Sequence, residues 1–362
     1  MHDRGPIAPA QRISGLILAA SLLVACAPSV APVETEESKP SLGATATPAP
    51  SAPSASATAE PTPAAAAAAG LALTRRVDGP RQVFVIDSDG SARQVSGLGD
   101  DSAIDAVHPM WSPDRSRIAF LPRALGSGPD AQLWVVNADG SNPRAIADVG
   151  ESISWSPDSS TILFEDSVLT TDTSGEPARI WLVDVESGEA TQFGHGNLPA
   201  WLPSGEEISY VPVRTGPEEG TFTFAVASLA GGAPRPIGQA SGVWWSSDGT
   251  LLMQQPDGLY VVEADGSPPR RLVAGYSPVW SPDGSHLVFT HGVTQEEALP
   301  MIGVVDREGT VLWSDVVASE PTWSPDGTKL AVEVGYPDVS LQVLDAVTGA
   351  TLLELEGEDP SW

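Results

Sequence analysis

The chain has 362 residues, of which 47 are acidic and 18 are basic, so its formal net charge is −29. This balance argues against nucleic acid as a ligand and against direct adhesion to an anionic membrane, because both carry negative charge themselves. The only cysteine is Cys26, which excludes an internal disulfide and any site built from several cysteines.

The amino-terminal residues have the pattern of an export signal. Arg4 and Arg12 precede an apolar run, residues 13–25, that is too short to serve comfortably as a permanent membrane span. The run ends in Leu23-Val24-Ala25-Cys26, which resembles the lipobox of bacterial lipoproteins. The resemblance implies that residues 1–25 are a signal peptide and that Cys26 is lipidated. An ordinary secretory signal with an incidental cysteine is the alternative.

Residues 26–70 are predicted to be a disordered tether that begins at the lipidated cysteine. They consist mainly of Ala, Pro, Ser, Thr and Glu, and such a segment has too few large apolar side chains to bury a core. We therefore expect an extracytoplasmic, monomeric protein that meets the membrane only through its lipid and carries its folded domain in residues 71–362.

That folded domain is itself strongly acidic. Once the five acidic and three basic residues before residue 71 are removed, a net charge of −27 remains, and Lys329 is the only lysine. Solubility or a saline habitat is one explanation, and a basic partner is the other.

A tryptophan-led motif repeats through the domain. Its fullest copy is Trp280-Ser281-Pro282-Asp283-Gly284. The repeats begin at Trp111, Trp155, Trp201, Trp245, Trp280 and Trp323, and Trp362 ends the chain. Successive tryptophans lie 35 to 46 residues apart, and a period of about 40 to 45 residues is typical of propeller blades, which must stack on one another to bury their faces.

Each repeat contains signals for four antiparallel strands. The Ser-Pro-Asp-Gly segment is a tight turn, since Pro fixes φ, Asp bonds within its own turn and Gly accepts positive φ. An apolar strand follows, and then a β-branched strand runs into an Asp-Gly hairpin, as in 134–140 and 260–266. We expect the tryptophans to fill the wedge between adjacent blades, with stacking on a ligand as the alternative.

The two ends of the domain complement each other. The first β-branched strand, at 83–90, has no tryptophan before it, and Trp362 has no strand after it. We therefore predict an all-β, seven-bladed propeller in which 359–362 is the innermost strand of the blade formed by 71–76, 81–86 and 92–95. Six blades are the alternative, if the repeat of Trp245 is degenerate.

Over residues 71–362 these turns, strands and hairpins resemble the TolB-type, WD-like propeller repeats of bacteria. The resemblance implies the fold and says little about function, because such propellers act as protein-binding platforms, as gating domains of prolyl oligopeptidase-like peptidases and as sensor heads. TolB is described as a soluble periplasmic partner of a peptidoglycan-associated lipoprotein, with an α/β domain before six blades. This chain has a lipobox and a tether in that place, and one more blade.

Catalytic motifs are missing from the sequence. It contains no Gly-x-Ser-x-Gly elbow, no His-Glu-x-x-His, no Walker loop and no dinucleotide fingerprint. Asp87-Ser88-Asp89-Gly90 begins like a calcium loop, but the remaining ligands are absent and a hairpin turn explains it. We therefore predict a protein without catalysis or cofactor.

Blade geometry indicates where a ligand would bind. The short turns share one face of a propeller, and the long loops, here 165–178, 213–221 and 291–299, share the other. The residue three before each tryptophan should lie at the channel mouth on the loop face. These seven residues are His108, Ser152, Leu198, Gly242, Ser277, Glu320 and Asp359.

His108, Glu320 and Asp359 come from three consecutive blades and form the candidate binding cluster. Two carboxylates and an imidazole could hold a cation such as calcium or a basic ligand group, or form a satisfied polar rim. The function we favour is recognition of an envelope protein, peptide or glycan. A lyase or hydrolase working from acidic residues at the mouth is one alternative, and a structural spacer or sensor head is another.

Overall fold

The computed structural model of the protein is a β-propeller of seven four-stranded antiparallel sheets. It describes residues 67–76, 79–97, 104–124, 131–149, 152–166, 178–212, 222–263, 267–293, 299–335 and 338–362. The predicted all-β class and the count of seven blades are confirmed. The six-bladed alternative is wrong, because the blade that begins with the strand of Trp245 has all four strands. Within the described ranges, no helix has the length and hydrophobicity required to cross a bilayer.

The strands are numbered in chain order and the blades in ring order. Blade 1 contains β1 (Ala72–Arg76), β2 (Arg81–Ile86), β3 (Ala92–Gln94) and, from the other end of the chain, β28 (Glu358–Ser361). Blade 2 contains β4 (Ile104–Trp111), β5 (Arg117–Ala124), β6 (Ala131–Asn137) and β7 (Arg144–Val149). Blade 3 contains β8 (Ser152–Trp155), β9 (Thr161–Asp166), β10 (Arg179–Asp184) and β11 (Ala190–His195).

The remaining blades repeat the same order. Blade 4 contains β12 (Asn197–Trp201), β13 (Glu207–Val211), β14 (Phe222–Ser228) and β15 (Arg235–Ala240). Blade 5 contains β16 (Gly242–Trp245), β17 (Leu251–Gln255), β18 (Gly258–Val262) and β19 (Arg270–Val273). Blade 6 contains β20 (Tyr276–Trp280), β21 (His286–Val293), β22 (Pro300–Asp306) and β23 (Val311–Val317). Blade 7 contains β24 (Ser319–Trp323), β25 (Lys329–Val334), β26 (Ser340–Asp345) and β27 (Thr351–Leu355).

Both ends of the domain meet in blade 1. The sheet order is β28-β1-β2-β3, and Ala72 lies opposite Ser361 while Thr74 lies opposite Glu358. The innermost strand is β28 in blade 1 and the first strand in chain order in the other blades. Contacts between blades show this, since β28 contacts β4 and β24, and β12 contacts β8 and β16. The predicted closure of the ring is therefore present, and it leaves no innermost strand without a neighbour in the next blade.

The repeated tryptophans lie at the ends of the innermost strands. Trp155 and Trp323 are buried in clusters that join their own blade to the preceding one. The Trp155 indole donates a hydrogen bond to the Met110 carbonyl at 3.2 Å, and the Trp323 indole donates to the Val279 carbonyl at 3.0 Å. Each bond crosses to the preceding blade, and burial of each aromatic ring contributes about 2 to 3 kcal/mol.

The Ser-Pro-Asp turns are internally bonded. Ser281 donates its hydroxyl to Asp283 at 2.7 Å, and the same oxygen accepts the His286 amide at 2.9 Å. The bonds from Ser281 and then Ser285 lower the pKa of Asp283 to about 2. The Ser-to-Asp bond recurs at four other turns, those of Ser112, Ser156, Ser246 and Ser324.

The chain enters the propeller on the turn face. Ala68 is fully buried against blades 1 and 7, and the Gly70 carbonyl accepts a 2.6 Å hydrogen bond from Arg115. Arg115 belongs to the Ser-Pro-Asp turn of blade 2 and also lies over the Trp111 ring at 4.1 Å. Residues 67–70 thus pack against the fold on the face opposite the channel mouth.

Candidate functional site

The innermost strands begin at the mouth with an unusual backbone. Of the seven residues predicted to line the mouth, five have φ between 47° and 52° and precede a proline: His108, Leu198, Ser277, Glu320 and Asp359. The other two, Ser152 and Gly242, have no proline after them and no positive φ. Left-handed backbone in a residue other than glycine costs about 1 to 2 kcal/mol, so the fold holds these five residues in place against strain.

Each strained residue lies at a β-bulge. The pairing of β4 with β5 shifts register between Val107 and Met110, and that of β24 with β25 shifts between Ser319 and Thr322. A bulge removes one residue from the ladder and redirects its side chain. The prolines were visible in the sequence, but the bulges they mark were not predicted.

Side chains from the preceding blade bond the amides of three bulged residues. Asp359 donates its amide to Glu333 at 2.7 Å, and Leu198 donates to Glu165 at 2.8 Å. Ser277 donates to Gln254 at 3.2 Å. These acceptors occupy one equivalent position, each opposite the start of the innermost strand in its own blade: Ser319 for Glu333, Ser152 for Glu165 and Gly242 for Gln254.

The structure brings two of the three predicted cluster residues into contact. The His108 Nδ1 lies 3.6 Å from the Asp359 Oδ1, and Thr74 donates its hydroxyl to the other Asp359 oxygen at 3.0 Å. The His108 side chain is half exposed, whereas that of Asp359 is 15% exposed. The Asp359 side chain is therefore fixed by Thr74, and the more exposed His108 imidazole lies beside it.

Glu333 completes this side of the mouth and was not predicted. Burial raises its pKa to about 7, and the nearby carboxylates of Asp359, Glu320 and Glu358 add to the effect, while the hydrogen bond from the Asp359 amide opposes it. The sequence signal that could have found it is a single acid within the apolar run 330–334 of strand β25. We call His108, Glu320, Glu333, Glu358 and Asp359 the acidic side of the mouth.

Two large side chains are exposed in other blades of the mouth. Leu198, at the mouth in blade 4, is 43% exposed, and Tyr276, beside the mouth in blade 6, is 39% exposed. Large apolar side chains exposed next to a polar rim are typical of binding surfaces. We call these two residues the exposed apolar residues of the mouth.

Other predictions fall on parts of the chain that the structure does not describe. Cys26 lies there, as do the loop segments 167–177, 213–221 and 294–298. Within the described ranges, no three His, Cys, Asp or Glu side chains come together in a way that could hold a metal ion.

Comparison with known proteins identifies the fold alone. No protein-family model and no curated protein matches the chain. A prolyl endopeptidase structure matches with a TM-score of 0.56 and 13% identity, covering 81% of this chain and 52% of that one. Oligogalacturonate lyase from Vibrio parahaemolyticus matches with a TM-score of 0.53 and 13% identity, covering 72% of this chain and 83% of the lyase.

TolB from Acinetobacter baumannii is also among the matches, with a TM-score of 0.47 and 16% identity, covering 81% of this chain and 66% of TolB. The chain thus spans only part of TolB and of the prolyl endopeptidase. At 13% identity, the matches to the prolyl endopeptidase and the lyase show the fold alone, in agreement with the predicted β-propeller.

Proposed function

We propose that this chain is a lipid-anchored, extracytoplasmic binding protein whose channel mouth recognises a basic group on an envelope protein, peptide or glycan. The observation that carries the proposal is the combination of side chains at the mouth. Carboxylates from blades 7 and 1 lie together at its rim, and Leu198 in blade 4 and Tyr276 in blade 6 are exposed there. A ligand that carries both a positive charge and an apolar group complements this combination.

Preorganisation supports binding at this surface. The mouth residues are fixed by bulges, by prolines and by hydrogen bonds from the neighbouring blade. A rim that is already ordered loses little conformational entropy when a ligand binds. The net charge of −27 on residues 71–362 would also raise the association rate of a basic ligand.

The membrane anchor is proposed from the sequence. The lipobox-like segment ends at Cys26, and residues 67–70, the first that the structure describes, pack on the turn face of the propeller. Mass spectrometry of the purified protein, searching for an acylated Cys26, tests the anchor separately from binding.

The test of binding is capture of a partner from envelope extract, followed by affinity measurement with the captured ligand. Glu320→Gln combined with Asp359→Asn removes two negative charges from the acidic side, and we expect it to weaken binding about tenfold or more, the cost of losing a charged hydrogen bond. Asparagine tolerates positive φ, so the backbone at residue 359 is retained.

The matched control is Glu189→Gln combined with Glu308→Gln, which removes the same charge from exposed turn-face positions. We expect this pair to bind like the wild type. Equal loss of affinity in both double variants would mean that net charge alone causes the effect. Undiminished binding by the mouth variant would refute the proposal.

An enzyme is the second candidate, and Glu333 favours it. A carboxyl group with a pKa near 7 beside a second carboxylate suits general acid or base catalysis. Among the matched structures is a lyase of similar propeller fold. Turnover in a screen of polysaccharides and peptides that Glu333→Gln abolishes would favour this candidate over binding alone.

A further inference from the structure

The seam between blades 7 and 1 depends on side chains. Strand β28 has four residues, and its pairing with β1 is limited to two residue pairs with a register shift between them. A strand with so few backbone pairs depends on side-chain hydrogen bonds to hold its position. At Asp359, in the middle of β28, these bonds come from Glu333 in blade 7 and Thr74 in β1.

Glu333 faces negative charge from two elements. The Asp359 amide, next to Glu358 in β28, lies 2.7 Å from the Glu333 carboxyl oxygen. In β24 the partner of Glu333 is Ser319, the neighbour of Glu320. The charges of Asp359, Glu320 and Glu358 all raise the pKa of Glu333. When Glu333 is protonated, it can accept the Asp359 amide without adding to this charge. When it ionises, four carboxylates lie together at the seam, and like charges at close range repel each other.

Two basic side chains lie beyond these carboxylates. Arg81 in β2 pairs with Glu358 at 2.6 Å, and His108 in β4 lies beside Asp359. Both therefore act on the carboxylates of β28, and among the described residues neither of them forms an ion pair with Glu333. The imidazole adds positive charge only while it is protonated.

We propose that Glu333 makes the seam between blades 7 and 1 a pH-sensitive latch, which is tight when its carboxyl group is protonated and loosened when it is ionised. The latch acts on the strand that carries Asp359, so it controls the geometry of the mouth whether or not a ligand is present. It therefore stands independently of the proposed ligand.

Proton linkage gives the direction in which pH changes the stability of the seam. Burial and the neighbouring carboxylates raise the pKa of Glu333 from 4.5 to about 7, so the folded seam holds the proton more tightly than the open one. The stabilisation is complete below about pH 4.5 and is lost as the pH rises to about 7. For this shift, the equilibrium constant for opening increases about tenfold between pH 6 and pH 8.

Hydrogen exchange tests the latch on the full chain. After correction for the intrinsic pH dependence of exchange, we expect amides of β28 to lose protection about tenfold between pH 6 and pH 8. Amides of β13 and β14 in blade 4, far from the seam, are the internal reference and should change much less. Equal loss in blade 4 would mean a global effect and would overturn the latch.

Glu333→Gln is the decisive variant. Gln254 already accepts a mouth amide at the equivalent position of blade 5, so an amide side chain is compatible with the hydrogen bond. We expect the pH response of β28 to disappear, with protection at pH 8 equal to that of the wild type below about pH 4.5. Glu165→Gln, at the equivalent position of blade 3, should leave the response of β28 unchanged.

An unaltered pH response in Glu333→Gln would refute the proposal. If that variant fails to fold, the wild type still decides the question through carbon-13 titration of the glutamate carboxyl groups. A Glu333 midpoint near 7 that is accompanied by loss of β28 protection supports the latch, and a midpoint below about 5 overturns it.

Discussion

Five residues at the mouth adopt positive φ directly before a proline, and this departs from the local rule for such positions. Proline disfavours helical backbone in the residue before it and usually leaves that residue extended. At Asp359, Leu198 and Ser277, the neighbouring blade offsets part of the cost by accepting the freed amide. Strain held by surrounding structure is a feature of binding and catalytic sites, so it supports the mouth as the functional surface.

Replacing a strained mouth residue with one that tolerates positive φ tests this account. We expect Leu198→Asn to be more stable to urea than Leu229→Asn by about 1 kcal/mol, because asparagine relieves the strain at φ 52° while both variants lose a partly exposed leucine.

Leu229 is a suitable control, since it is 37% exposed and does not have positive φ. Equal unfolding free energies for the two variants would show that the mouth backbone stores no strain.

At the scale of strands, bulges appear on both edges of the blades. The innermost strand shifts register at the mouth in five of the seven blades, and the outermost strand shifts register in six of them. The exception is β3 in blade 1, which has only three residues. Bulges and short edge strands both hinder pairing with another chain, so each blade has some protection of its outer edge.

The strands themselves could be predicted from the sequence, and the mouth contacts could not. Turn residues bounded β1 and β3 to within one residue, since Pro, Asp and Gly fix where a strand ends. The role of Glu333 depends on how blade 7 packs against blade 1, which no local pattern records. The position of His108 beside Asp359 was predictable because ring order alone makes their blades neighbours.

The whole ring depends on blade 1, where the two ends of the domain meet. Beyond the strand pairing, the Trp362 indole donates to the Ala69 carbonyl at 3.2 Å, and Arg75 donates to the Glu356 carbonyl at 2.8 Å. Removal of residues 357–362 would break the Trp362 bond and the pairing of β28 with β1, and it would expose the edge of β1. We expect the unfolding free energy in urea to fall by at least about 3 kcal/mol, comparable to deletion of a buried aromatic side chain.

Removal of residues 1–59 is the comparison, because contacts divide the chain into 1–59 and 60–362. We expect this second truncation to leave the urea midpoint unchanged. A ring that tolerates loss of its last six residues equally well would show that β28 contributes little to closure.

Closure by β28 also has a consequence for synthesis. A ribosome makes β1 early and β28 last, and the exit tunnel conceals the newest part of a growing polypeptide. The circle cannot shut until residues 358–361 have left the tunnel. Every product that terminates before β28 therefore carries an incomplete first blade, which chaperones and quality-control proteases can distinguish from a closed ring.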